Sequence, residues 1–189
     1  MHLQEKTIDS KEIYNGKIIK VYSDTVELEN GSTAPRELVV HSGGVCVVPL
    51  TEDMQIYLVK QFRYPFKTAL LEVPAGKVEI GEIRPAAILR ELKEEIGATC
   101  RTLECLGKCY PTVAYDSEII DIYMATGLEF DGQKLDEGEF LDVVKMPLEK
   151  AVEMIMNGEI RDAKTQIAIL KADKIVSGYY GKFEYNLNV

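Results

Sequence analysis

The sequence contains no tryptophan and only two histidines, His2 and His41, which nearly excludes an imidazole-based triad or a histidine-rich metal centre. Its four cysteines, Cys46, Cys100, Cys105 and Cys109, form no CxxC pair and stand mostly in apolar, strand-like surroundings, so they read as reduced, buried thiols. Basic residues are outnumbered, 22 Lys and Arg against 31 Asp and Glu, for a formal net charge of −9. That balance argues against nucleic acid or a membrane surface as partner, because such binders need basic patches to neutralise phosphates. No apolar run approaches the ~20 residues that cross a bilayer. The opening stretch MHLQEKTIDSKE is too polar for a secretory signal, so the expected location is the cytoplasm.

What is present suffices for one well-packed domain with a small appendage: 189 residues, 46% of them hydrophobic, without a repeat or a long linker. The stretches KIIKVYSDTVELENG and STAPRELVVHS alternate in a β fashion around a turn at Asn30-Gly31. They predict an N-terminal β hairpin region over residues 1–42, a candidate dimer contact, ahead of a main domain over 43–189. GGVCVVPL and QIYLVKQFRY read as buried strands, CRTLECLGKCY and SEIIDIYMATGLEF as alternating ones, and FLDVVKM as another. PLEKAVEMIMNG and DAKTQIAILKADKIVSG read as helices ending at Gly158 and Gly178, and YYGKFEYNLNV as a tail or edge segment.

The chemistry concentrates between Gly76 and Ala98, GKVEIGEIRPAAILRELKEEIGA. Pro85 suits a first helical turn and Gly97 a left-handed stop, which predicts a helix from about Pro85 to Ile96. Ala86, Leu89, Ile96 and either Ile88 or Leu92 can form its apolar stripe, with Arg90, Glu91, Glu94 and Glu95 on the other side. Glu91 and Glu95 stand at i, i+4, and Glu94 is i+3 from Glu91. Like charges at that spacing destabilise a bare helix, whereas a bound cation turns the penalty into a site, and oxygen ligands suit Mg²⁺ or Mn²⁺ better than zinc. The alternative is a solvated acidic face. Upstream, Arg63 offers a planar fork of donors suited to a diphosphate.

The spacing of this segment is Gly76, five residues, Glu82, seven residues, Arg90-Glu91-Leu92, one residue, Glu94-Glu95, one residue, Gly97 and a small apolar Ala98. It resembles the Nudix box, with Ala98 in place of the usual larger aliphatic residue. The resemblance implies an α/β fold, a Nudix α/β/α sandwich around a mixed sheet, here preceded by the antiparallel β hairpin. It also implies a metal site of Glu91, Glu95, the Ala75 carbonyl and Glu82, with Arg90 and Glu94 supporting catalysis.

The stretches PRELVVHSGGVCVVPL and VKQFRYPF are similar to the ADP-ribose pyrophosphatase branch of that family. This similarity marks Arg36, Arg63 and Glu118 as substrate contacts; Glu72 reads as a carboxylate that touches the ligand or orients the Arg residues, or equally as a structural salt bridge. In the loop Asp136-Glu137-Gly138-Glu139 it marks Glu137 as the base and Glu139 as a further metal ligand, the two roles being interchangeable. The expected reaction is Mg²⁺-dependent hydrolysis of ADP-ribose or a related nucleoside diphosphate sugar, by a homodimer. Tyr110, Pro111, Tyr115 and Glu118 keep the branch's loop pattern, but Val113-Ala114 stands where it has Pro-Gly. That departure leaves open another nucleotide substrate, whether a different sugar nucleotide or an oxidised nucleotide. A sensor that binds ADP-ribose without cutting it is a further alternative.

Overall fold

Period-two alternation along three apolar strands sets the layers of the protein. The computed structural model describes residues 3–135 and 138–178. They fall into two units, Met1–Gly43 with Tyr110–Ile119, and Gly44–Cys109 with Ile120–Val189.

The first unit is an antiparallel sheet in the order β1 (Lys6–Asn15), β2 (Ile19–Glu27), β3 (Thr33–His41). The expected hairpin joins β2 to β3, with Glu27 opposite Thr33 and Gly31 at φ +80° in the turn. The sequence reading missed β1. Its stretch KTIDSKEIYN is exposed at all ten positions, so it carries no apolar stripe to announce a strand. The N-terminal region is therefore a three-stranded sheet rather than a two-stranded hairpin. Within the same unit the Val39 N–H donates to the Tyr115 carbonyl at 2.7 Å, and the Ser117 N–H to the Val39 carbonyl at 3.0 Å.

The second unit begins with β4 (Gly44–Pro49), β5 (Gln55–Arg63), β6 (Thr68–Glu72) and β7 (Ala75–Lys77), then α1 (Arg84–Ile96). It continues with β8 (Ala98–Thr99), β9 (Thr102–Cys109), β10 (Ile120–Thr126), β11 (Glu129–Phe130) and β12 (Leu141–Pro147), and ends with α2 (Leu148–Met156) and α3 (Ala163–Val176). One sheet has the order β7-β4-β10-β9, mixed because β4 and β10 run parallel; another is β12-β5-β6, and β8 pairs with β11. Val45, Val47, Val59, Tyr123 and Ala125 pack against Ala87, Ile88 and Leu92 of α1. The intervening Cys46, Val48, Ile56, Leu58, Ile122 and Met124 pack against Ala151 and Ile155 of α2 and Ala168, Ile169 and Ala172 of α3. Helices thus cover both faces of the sheet layer, the expected α/β/α sandwich.

No disulfide joins the cysteines; Cys46 and Cys109 are buried, Cys100 and Cys105 half-buried. Among the described residues no helix is long and apolar enough to cross a membrane.

Helix α1 carries Pro85 in its first turn and stops at Gly97, φ 67°. Its buried side is Ala87, Ile88, Leu92, Glu95 and Ile96, whereas Ala86 is exposed and Leu89 is 41% exposed, so the expected stripe is corrected. Ile88, Leu92 and Glu95 share one face at i, i+4 and i+7. Packing the two aliphatic residues on the sheet therefore turns Glu95 inward.

Candidate functional site

The chain crosses from β6 to β7 through Val73-Pro74, and three polar backbone groups along the way find partners. The Val73 N–H donates to Thr165 Oγ1 at 3.0 Å, and the Pro74 carbonyl accepts from the Val47 N–H at 3.0 Å. The Ala75 N–H donates to Glu95 Oε2 at 3.0 Å, which ties the loop to the buried carboxylate of α1. At Gly76 a Cβ would lie 1.8 Å from Glu91 Oε1 and 2.0 Å from its Cδ. Only glycine lets the Glu91 carboxylate lie against this strand.

Arg90 gathers the acidic residues around α1. Its Nε and Nη2 donate to the two oxygens of Glu82 at 3.0 and 3.1 Å, and its Nη1 to Glu91 Oε1 at 2.8 Å and Glu94 Oε2 at 3.0 Å. The Arg90 bonds, then the Glu79 N–H, hold Glu82 below the usual carboxylate range. Glu91 goes the other way: burial raises it against the pull of Arg90, and the charges of Glu94 and Glu139 add to the rise. Glu95, 2% exposed, is pushed up to about 8, chiefly by burial; the Ala75 N–H opposes the shift, while Glu91 and Glu139 reinforce it. Glu139 itself accepts from Gln61 Nε2 at 3.3 Å.

Burial, together with the mutual repulsion of Glu91, Glu95 and Glu139, disfavours the charged forms of Glu91 and Glu95, and a cation beside them would relieve both effects. Among the described residues no three acidic, imidazole or thiol side chains are already closed into a ligand cluster, and the Arg90 bond holds one oxygen of Glu91. The donors nevertheless fit a hard divalent cation: all are oxygens, their charges repel, and Gly76 clears the space beside Glu91.

A second group of charges stands beside them. Arg63 forks onto Glu72, Nε to Oε1 at 2.5 Å and Nη2 to Oε2 at 2.7 Å, while Lys164 Nζ donates to Glu72 Oε2 at 2.5 Å and to Asp162 Oδ2 at 3.0 Å. Burial alone would raise the Glu72 carboxyl, 1% exposed, but Arg63 and Lys164 together hold it below the usual range. The fork uses Nε and Nη2, Nη1 of Arg63 has no hydrogen-bond partner among the described residues, and the positive charge of Arg63 also reaches Glu95.

The second unit thus brings together Arg63, Glu72, Ala75, Glu82, Arg90, Glu91, Glu94, Glu95 and Glu139. Arg36 and Glu118 belong to the first unit. There Arg36 pairs with Glu5, with Nε to Oε2 at 2.9 Å, and Glu118 Oε1 lies 3.3 Å from His41 Nδ1. Glu137, expected as the base, lies outside the described residues. The sequence reading missed Lys164 and Thr165. Asp162 before a helical run was a legible cap, but nothing local announces that Lys164 turns inward to a carboxylate 92 residues away.

Residues 40–166 match the NUDIX domain, and residues 5–39 match the nucleoside diphosphate sugar hydrolase N-terminal domain. Over 169 residues the chain is 40% identical to an ADP-ribose pyrophosphatase of Bacillus subtilis (strain 168), covering 88% of this chain and 91% of the relative. Over 168 residues it is 40% identical, with the same coverage, to a methanol dehydrogenase activator of Bacillus methanolicus. The crystal structure of an ADP compounds hydrolase superposes with a TM-score of 0.82 over 93% of this chain and 96% of that one; at 23% identity this likeness is one of fold.

Proposed function

The chain belongs to the Nudix hydrolase family, whose members typically depend on a divalent metal, and from that premise we propose that it hydrolyses the pyrophosphate bond of ADP-ribose to AMP and ribose 5-phosphate. The observation that carries the reading is the pairing of a buried, mutually repelling carboxylate cluster, Glu91, Glu95 and Glu139, with the Arg63 fork, whose Nη1 has no hydrogen-bond partner among the described residues. Identity to the Bacillus subtilis ADP-ribose pyrophosphatase over most of both chains supports the substrate.

Glu91, Glu95 and the Ala75 carbonyl, with Glu139 and Glu82 assisting, would hold the metal, for which Mg²⁺ is first choice and Mn²⁺ second. When bound, such ions clamp phosphate oxygens and lower the pKa of a water. Arg63 holds a phosphate oxygen of the substrate in place, with Glu72 fixing the plane of its guanidinium. Arg90 aims Glu82, Glu91 and Glu94 through its hydrogen bonds to all three. The water oxygen bonds to one phosphorus, the bridging P–O bond breaks, and the water's proton passes to a carboxylate of the 136–139 loop, Glu137 or Glu139. Arg36 and Glu118 are proposed as contacts to the rest of the substrate. We also propose a two-fold homodimer formed through the N-terminal sheet, whose β1 leaves Ile8, Ile13 and Tyr14 more than half exposed.

The test mixes purified protein with ADP-ribose and Mg²⁺ and quantifies both products, with Glu95→Gln alongside. Wild type should release AMP and ribose 5-phosphate in equal amounts and the variant should lose most of that rate. Intact ADP-ribose beside cleavage of another nucleoside diphosphate in a panel would move the substrate assignment, as the Val113-Ala114 departure allows. The equal identity to the methanol dehydrogenase activator favours a second reading, activation of a dehydrogenase, which is checked by following methanol dehydrogenase with and without this protein.

A further inference from the structure

Two hydrogen-bonded chains leave one helical turn and end on different halves of the candidate site. At the start of α3, Asp162 Oδ2 accepts from the Thr165 N–H at 3.0 Å, from the Thr165 hydroxyl at 2.6 Å and from Lys164 Nζ at 3.0 Å. The first chain continues from Thr165, fully buried, whose Oγ1 accepts from the Val73 N–H at 3.0 Å. Val73-Pro74 is the crossing between two sheets, where proline fixes φ and removes a donor. With the Val73 N–H on Thr165, the Pro74 carbonyl on Val47 and the Ala75 N–H on Glu95, the backbone leading into Ala75 is held at three points.

The second chain runs from Lys164 Nζ to Glu72 and through Glu72 to the Arg63 fork. Its inner members are shielded from water, the Lys164 side chain being 14% exposed and that of Glu72 2%. Charged hydrogen bonds made in such surroundings hold their geometry firmly.

We propose that the first turn of α3 is a positioning device with two outputs. Thr165 sets the Ala75 loop that would hold the metal, and Lys164, through Glu72, sets the Arg63 fork that would take the diphosphate. Both are positioning residues, since each acts through another group. The inference rests on the proposed metal-dependent hydrolysis, and it predicts that the two outputs separate.

Thr165→Val keeps the side chain's shape but leaves the Val73 N–H without its acceptor. Mn²⁺ affinity, read without substrate from the electron paramagnetic resonance of unbound Mn²⁺, should fall about tenfold, with KM for ADP-ribose at saturating metal within about twofold of wild type. Thr165→Ser should restore Mn²⁺ binding. Lys164→Met should do the converse, raising KM about tenfold while Mn²⁺ affinity stays within about twofold, and Lys164→Arg should recover part of the KM. Thermal melting of each variant reports folding, and Thr165→Ala replaces the valine variant if that does not fold.

The proposal is overturned if both variants melt earlier yet keep wild-type Mn²⁺ affinity and KM, or if both readouts move together in each. If wild type neither binds nor cleaves ADP-ribose, the function reading falls and takes the Lys164 output with it, while the Mn²⁺ titration still decides the Thr165 output.

Discussion

Glu72 and Glu95 are the same residue type at nearly the same depth, 1% and 2% exposed, yet their surroundings push their carboxyl groups in opposite directions. Burial raises both. At Glu72 it meets two cations, Arg63 and Lys164, and the carboxylate ends below the usual range. At Glu95 it meets one backbone N–H and the smaller pull of Arg63, which makes no bond to it, against the repulsion of Glu91 and Glu139, and the carboxyl is pushed up to about 8. Depth alone therefore does not identify a site. A buried acid with its counter-charge built in is a strut; one whose counter-charge is missing from the protein is a place for something to bind.

That contrast predicts opposite outcomes for one chemical change, carboxylate to amide. Glu95→Gln removes a proposed metal ligand, so hydrolysis of ADP-ribose should fall by at least about 10²-fold. In the metal-free protein, burial already holds Glu95 largely protonated at neutral pH, so its stability should stay within about 1 kcal/mol of wild type in urea unfolding. A variant that loses both activity and stability would erase the distinction.

Glu72→Gln should do the reverse and act first on stability. It leaves Lys164 and Arg63 facing a neutral group, at a cost of about 3 kcal/mol, the lower end for breaking a buried pair because Lys164 keeps Asp162 and Arg63 reaches solvent. The pH dependence sharpens the point. The folded value of Glu72 lies below its ordinary 4.5, so its contribution is fully present above 4.5 and is lost as pH falls through the folded value. The melting temperature of wild type should therefore drop on acidification below that point, and Glu72→Gln should show a shallower drop. Equal slopes would mean that Glu72 is not the strut described.

The two carboxylates were not equally legible in the sequence. Glu95 sits within a segment whose every fixed position is local, so spacing was enough to find it, and the helix bounds came within a residue of Arg84–Ile96. The sheet layers were readable for the same reason, because β4, β5 and β10 each write their two buried faces into consecutive residues. Glu72 was a candidate, but its pairing with Lys164 spans 92 residues, and β1 has no buried face at all, so neither feature leaves a local pattern. The facing of α1 was misread because Ala86 and Leu89 looked as apolar as the residues that pack; the sheet selects Ala87, Ile88 and Leu92, and that choice turns Glu95 inward.

The smallest change that should still tell the two regions apart is a single methyl group at Gly76. Its Cβ would fall 1.8 Å from Glu91 Oε1 and 2.0 Å from Cδ, an overlap with the end of a flexible side chain rather than with backbone. Glu91 can swing away, so Gly76→Ala should change stability by no more than about 1 kcal/mol. The swing moves a proposed metal ligand, however, and should lower metal-dependent hydrolysis by about tenfold, partly recovered by raising the Mg²⁺ concentration. Recovery with added Mg²⁺ locates the defect at the carboxylate cluster. A loss that Mg²⁺ cannot reverse, accompanied by a raised KM for ADP-ribose, would instead put the damage on the Arg63 side, and the division between strut and site would not hold.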